Sequence, residues 1–181
     1  MKHRRRGLHY GYANMGTLNR EEVGEWFETE AGPLVLYARQ WLDAEWAEDV
    51  VQEVFMRLLQ QDLEVEHVKG WLYRAVRNLA FNRIRSIGRR RRREDEVATG
   101  TPGWFAPDAG AGIDARQAEA ALRALPADER EIVTLRIWGG LTFEQMASVL
   151  GLSAATVLRK HREALKRIRT QLETACLIKT H

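Results

Sequence analysis

Cysteine is almost absent from this 181-residue chain; Cys176, close to the C-terminus, is the only one. No disulfide can close within the chain and no thiolate set can hold a structural metal, and no cofactor is expected. Such usage fits a reducing cytoplasmic compartment. Long apolar runs are missing too. None approaches the roughly 20 residues a membrane helix needs, so no membrane insertion is expected. The opening stretch, MKHRRRGLHYGYANMGTLNR, is basic but has no apolar run behind it and does not read as a secretory signal. Strand signals are scarce, and no internal repeat is evident. Acidic residues vanish between Lys69 and Arg93, where Lys69, Arg74, Arg77, Arg83, Arg85 and Arg89 to Arg93 stand without Asp or Glu. A local block of this kind speaks for a polyanionic partner more than the formal net charge of +3 does. An anionic membrane surface is the competing partner.

What is present is helical periodicity, in two blocks. With 45% hydrophobic residues a packed core can form, and the pattern predicts an all-α fold: two small helical domains joined by a flexible linker, the C-terminal one a helix-turn-helix. Residues 1–18 form a basic arm. The fourteen residues before Met15 read equally as an upstream start, a flexible arm or real structure. The first domain spans 19–93. Asn19 can cap its first helix, with Glu21, Glu22 and Glu25 placed against the positive end of the dipole. Pro33 either starts a second helix or interrupts the first. Runs from Ala47 to Gln61 and from His67 to about Ile87 are helical. Residues 94–114, EDEVATGTPGWFAPDAGAGID, carry four glycines and two prolines and no helical period, which marks a linker. Trp104 and Phe105 are its large apolar residues and read as docking onto a flanking domain. The second domain spans 115–175, followed by a tail, 176–181.

Within the second domain, Leu125-Pro126 breaks the helical pattern, with proline suited to a first helical position. The next helix ends at Trp138 before Gly139-Gly140, which suits a left-handed cap. Thr142 and Gln145 have capping-box spacing. Met146, Ala147 and Leu150 line one face of the helix they start. Gly151 is the turn residue, Leu152 can plug the turn's core, and Ser153 can cap the following helix. On that helix Val157, His161, Ala164, Leu165, Ile168 and Leu172 fall along one side. Ala155, Thr156, Arg159, Lys160, Glu163, Lys166 and Arg167 fall on the other. Helix, glycine turn and second helix with small residues at its start and bases behind them read as a DNA-reading unit. A solvated face of a helical hairpin is the competing explanation.

In the first domain, AEDVVQEVFMRLLQQ puts Val50, Val51, Val54, Phe55, Leu58 and Leu59 on an apolar face. Asp49, Gln52, Glu53, Met56, Arg57 and Gln60 lie opposite. Spacing alone makes that second face solvated; an exposed methionine among acids and amides also suits partner docking. In HVKGWLYRAVRNLAFNRIRSIG, Val68, Leu72, Ala75, Val76, Leu79 and Ile87 look inward, while Arg74, Arg77, Asn78, Phe81 and Arg85 share another face. A basic helix with aromatics near one end, here Trp71 and Tyr73, can hold phosphates and stack unpaired bases. The five arginines Arg89 to Arg93 add non-specific phosphate affinity.

In this order the two blocks resemble the bacterial sigma-70 family of RNA polymerase initiation factors, and most of all its small extracytoplasmic-function group. The resemblance rests on AEDVVQEVFMRLL and WLYRAVRNLAFNRIR in the first domain. In the second it rests on ALPADEREIVTLRIWGGLTFEQMASVLGLSAATVLRKHREALKRIR. It covers roughly residues 19 to 173. It implies a protein without catalytic activity that binds core RNA polymerase and directs initiation at promoters. By motif match, Asp49, Gln52, Glu53 and Met56 would contact the clamp helices of the largest polymerase subunit, in place of the solvated reading. Trp71, Tyr73, Arg74, Arg77, Asn78, Asn82 and Arg85 would lie at the melted −10 element. Ser153, Ala155, Thr156, Arg159, Lys160 and Arg162 would read the −35 element, with the domain also meeting the β-flap. An anti-sigma factor is a further partner the resemblance implies. His161 stands where the family's recognition helix is usually apolar, and Glu163 where it is usually basic. The alternative is a stand-alone helix-turn-helix transcriptional regulator, which needs a ligand pocket, receiver or dimer helix in the first half. A recombinase-like enzyme needs a nucleophile among arginines or a carboxylate cluster, and neither pattern is visible.

Overall fold

Asn19 begins the first helix as the sequence predicts. Its side chain accepts the Glu22 N–H at 2.9 Å, and the Glu22 carboxylate accepts the Asn19 N–H at 2.9 Å, a reciprocal cap that satisfies two otherwise unpaired donors. The computed structural model describes the backbone of residues 19–60, 67–94 and 113–179, and the side chains of all of these but 87–94, 113–116 and 174–179. Helix α1, Arg20–Ala38, runs straight through Pro33, so that residue neither starts a helix nor ends one. The proline forfeits one backbone hydrogen bond. Beyond it Leu34, Tyr37 and Ala38 are wholly buried, and their burial holds the last turn in register.

Helix α2, Ala44–Gln60, starts on the Asp43 carboxylate, which accepts the Trp46 N–H at 2.9 Å. It buries Ala47, Val50, Val51, Val54, Phe55 and Leu58. Leu59, expected on that face, is exposed. Helix α3, Val68–Glu94, is longer than its apolar period predicts and carries the backbone of the arginine run as helix. These three helices pack on one another as one layer.

The second layer comprises α4 (Ile113–Arg123), α5 (Ala127–Ile137), α6 (Phe143–Leu150) and α7 (Ala154–Lys179), with α4, α5 and α6 all resting on α7. Among the described residues there are helices and no strands. Pro126 is the cap of α5 rather than its first helical residue, with extended backbone at φ −50°, ψ 145°. Gly140 has φ +59°, the left-handed conformation that glycine adopts most cheaply. Gly139 is constrained by space instead: a Cβ there would lie 2.5 Å from the Leu135 carbonyl oxygen and 3.1 Å from the Tyr73 ring. The expected linker, with Trp104 and Phe105, lies largely outside the described residues, as do the arm 1–18 and the end of the tail.

The two layers meet. Helix α3 packs against α6, and α1 against α5. One buried cluster runs through both: Tyr37, Val54, Leu72, Tyr73 and Val76 from the first layer, with Ile132, Leu135, Leu141, Met146 and Val149 from the second. A small satellite core of Leu122, Leu125, Val133 and Ala164 belongs to the second layer alone.

Candidate nucleic-acid interface

The turn between α6 and α7 is built as the sequence predicts. Thr142 and Gln145 form a capping box, with bonds of 2.9 and 3.2 Å. Gly151 adopts φ +69° and ends α6. The Ser153 hydroxyl accepts the Thr156 N–H at 3.2 Å and starts α7. Leu152 does not plug the turn; it is 40% exposed, and Leu141 and Met146 fill the core instead. Leu165 is likewise 45% exposed, on the side of α7 turned away from the satellite core that Ala164 and Ile168 face.

The first turns of α7 expose Ser153, Ala155, Arg159 and Arg162, with Thr156 half-buried. Lys160 does not stand free: its ammonium pairs with the Asp128 carboxylate at the start of α5. That hydrogen bond, ahead of the opposing effect of burial, lowers the Asp128 pKa. Both departures from the usual recognition helix acquire local roles. The Glu163 carboxylate accepts from Arg159 at 2.7 Å, which orients that guanidinium and screens its charge. His161 packs edge-on against Phe143, ring centroids 5.5 Å apart, as its place on the apolar stripe suggests. Burial, with the Arg136 charge behind it, lowers the His161 pKa and favours the neutral ring.

On α3 a shallow groove of about 540 Å³ is lined by Arg77, Asn78, Phe81, Asn82, Ile84 and Arg85. Four of the seven residues assigned to the −10 strand therefore share one surface. The Arg85 guanidinium donates to the Asn82 amide oxygen at 2.6 Å. Phe81 contributes a ring that the Arg77 guanidinium covers at 4.9 Å and that meets Trp41 at 5.1 Å; its place on the basic face was legible, its stacking was not. Trp71 is half-buried against the core.

Three residues of the set are engaged by the second layer. Tyr73 is wholly buried, edge-on to Tyr37 and beneath Gly139, so it is separated from the exposed face. Burial, helped by the Glu30 charge, pushes its hydroxyl far above the usual tyrosine range. Arg74 donates to the Ser148 carbonyl at 2.7 Å and also meets the Ser148 hydroxyl. Arg77 donates through Nε to Glu131 Oε1 at 2.8 Å, and the same oxygen accepts the Tyr37 hydroxyl at 2.6 Å. Burial alone would lower the Arg77 pKa; the Glu131 bond and charge outweigh it and the net direction is up. Burial first, then Glu131, raises the Tyr37 pKa. Sequence reasoning missed Glu131 and Tyr37. Glu131 stands among acids at a helix start, and only the packing of α5 against α1 and α3 reveals its partners.

On α2, Asp49, Gln52 and Met56 are exposed, Met56 to 54%, and Glu53 is half-buried. Glu53 accepts from Arg57 at 2.6 Å. This face is unoccupied by the rest of the described chain. Among the described residues no three His, Cys, Asp or Glu side chains converge as a metal site, and no helix is long and apolar enough to cross a membrane.

An all-α chain with a capped helix-turn-helix and a second basic, aromatic helix surface is a DNA-binding protein of the helix-turn-helix class. Residues 26–91 match sigma-70 region 2, and residues 115–168 match sigma-70 region 4. The chain belongs to the sigma-70 family, and its relatives are extracytoplasmic-function sigma factors, proteins of transcription initiation. The ECF RNA polymerase sigma factor SigL of Mycobacterium tuberculosis is 29% identical over 136 residues, covering 72% of this chain and 77% of SigL. The fold is similar to that of the sigma factor RpoE in its complex with the anti-sigma factor NepR from Bartonella quintana. There the TM-score is 0.68 at 23% identity, over 84% of this chain and 98% of RpoE. It is also similar to that of CnrH in complex with the cytosolic domain of CnrY, with a TM-score of 0.58 at 22% identity, over 86% and 90% of the two chains.

Proposed function

We propose that this chain binds core RNA polymerase and directs it to promoters by reading a −35 element and by recognising and opening a −10 element. The observation that carries the reading is that one chain presents two distinct exposed surfaces suited to nucleic acid. One is the exposed start of α7 behind a capped turn; the other is the basic, aromatic groove on α3. Ser153, Ala155, Thr156, Arg159 and Arg162 serve the duplex, with Lys160 available once its pairing with Asp128 is exchanged for a phosphate. Trp71, Arg74, Arg77, Asn78, Asn82 and Arg85 serve the opened strand, where guanidinium groups hold phosphates and exposed ring edges meet bases, with the buried Tyr73 ring supporting them from beneath. Asp49, Gln52, Glu53 and Met56 dock on the clamp helices of the largest subunit, and the second domain also meets the β-flap. The solved neighbours bound to NepR and CnrY support an anti-sigma factor as a further partner.

Run-off transcription with purified core polymerase over a library of the source genome's promoters tests this. Specific transcripts are expected only when the protein is added, and their absence together with failure to co-purify with core sinks the reading. Asp49→Ala with Gln52→Ala should weaken co-purification with core about tenfold or more, with the circular dichroism spectrum and DNA affinity unchanged, since both side chains are exposed.

A further inference from the structure

Several polar side chains at the start of α7 are engaged within its own layer. The Thr156 and Ser153 hydroxyls are bonded to each other at 2.8 Å. Lys160 turns back to Asp128, and Arg167 to Glu129 at 3.2 Å. Val157 and Ala164 are buried and fix which side of the helix faces away. Ala155, Arg159, Arg162, Glu163 and Lys166 follow at i, i+4, i+7, i+8 and i+11 on that far side. One of these five is a carboxylate. Glu163 is 46% exposed along its side chain, and it receives the Arg159 guanidinium on Oε1 at 2.7 Å. A carboxylate so engaged keeps capacity for a further donor.

We propose that Glu163 is a specificity-determining residue: joined to Arg159, it reads one G·C base pair in the major groove, the guanidinium donating to guanine O6 and N7 while the carboxylate accepts from cytosine N4. The reading of a base pair rests on the proposed duplex reading by α7; the paired geometry does not. A carboxylate here adds nothing to phosphate affinity. It repels the backbone, and by holding Arg159 it weakens a cation that would otherwise bind any sequence. What it offers a groove is an acceptor, and the major-groove donors are cytosine N4 and adenine N6. The bonded pair presents a donor beside an acceptor. A G·C pair presents the complement, O6 beside N4, themselves hydrogen-bonded at roughly 2.9 Å, close to the 2.7 Å between Arg159 and Glu163. An A·T pair fits worse. Its N6 donor lies beside the N7 acceptor, which repels the carboxylate, and thymine gives the guanidinium one acceptor and a methyl group in place of O6 and N7.

The test uses the full chain and its Glu163→Ala variant, which keeps a good helix former at an exposed position of α7. Each selects duplexes from a randomised pool. The native chain is expected to enrich G·C at one position; the variant should lose that enrichment, keep the others, and bind unselected duplex no more weakly. The selected cytosine is then replaced by pyrimidin-2-one, which deletes the 4-amino group and leaves guanine O6 and N7 in place. The replacement should weaken binding by the native chain about tenfold and leave binding by the variant unchanged, a double-mutant cycle between protein and base. An equal loss for both proteins would show that Glu163 only positions Arg159, and overturns the inference. So does enrichment of G·C that survives in the variant. Should the native chain enrich no sequence at any position, duplex reading by α7 fails and takes this inference with it; enrichment without the cytosine dependence overturns the inference alone.

Discussion

Tyr73 carries the sharpest tension between stability and role. Its hydroxyl is buried without a hydrogen-bond partner among the described residues, a situation that costs free energy in this state. Tyr73→Phe keeps the ring contacts, so urea unfolding should show equal or greater stability, by up to about 1 kcal/mol. If the hydroxyl serves the opened strand, the same variant should lose promoter opening, read by permanganate footprinting in the polymerase complex. A loss of stability would mean that an unseen partner satisfies the group. His161 makes a pH prediction. Burial and Arg136 depress its folded pKa, so below the ordinary value of about 6.5 the unfolded chain binds the extra proton first. Stability is therefore full above that pH and falls as pH drops from it toward the folded value. His161→Leu should flatten the melting temperature between about pH 7 and 5. The depressed Asp128 also loses stabilisation on acidification, but in the carboxylate range, so the two are separable.

Caps decide where the helices begin. Helix α6 is only 8 residues long, too short to persist without its ends satisfied and its face packed. Thr142→Ala removes the acceptor for the Gln145 N–H and should cost about 1 kcal/mol in chemical denaturation. Because α6 supports the turn into α7, the same substitution should weaken duplex binding more than strand binding. Equal weakening of both would show that the cap acts only through global stability. The long elements behave differently. Helix α1 accepts Pro33 because its buried face, not its local propensity, sets its length.

At the level of the molecule, the layers share one buried cluster, so each stabilises the other. Calorimetry of the full chain should give one cooperative transition whose calorimetric and van't Hoff enthalpies agree; two resolved transitions would show that the interlayer contact contributes little. Leu141, wholly buried in that shared cluster, should cost about 2–4 kcal/mol when truncated to alanine. Leu152, in the turn between α6 and α7 yet exposed, should cost about 0.5 kcal/mol or less.

The sequence by itself determined the all-helical class, the caps at Asn19, Thr142 and Ser153, the glycine turn at Gly151 and the candidate faces of α2, α3 and α7. These are local: a cap or a turn depends on three or four neighbouring residues, and an apolar stripe on a period of 3.6. Only the tertiary structure decided that Leu59, Leu152 and Leu165 stand in water, that Lys160 is spoken for by Asp128, and that Tyr73, Arg74 and Arg77 are held by Gly139, Ser148 and Glu131. The reason is distance along the chain. Periodicity says which side of a helix is apolar, but not which other helix, more than fifty residues away for Arg77 and Glu131, will cover it. Burial, pairing and hence availability for nucleic acid are properties of that second packing event.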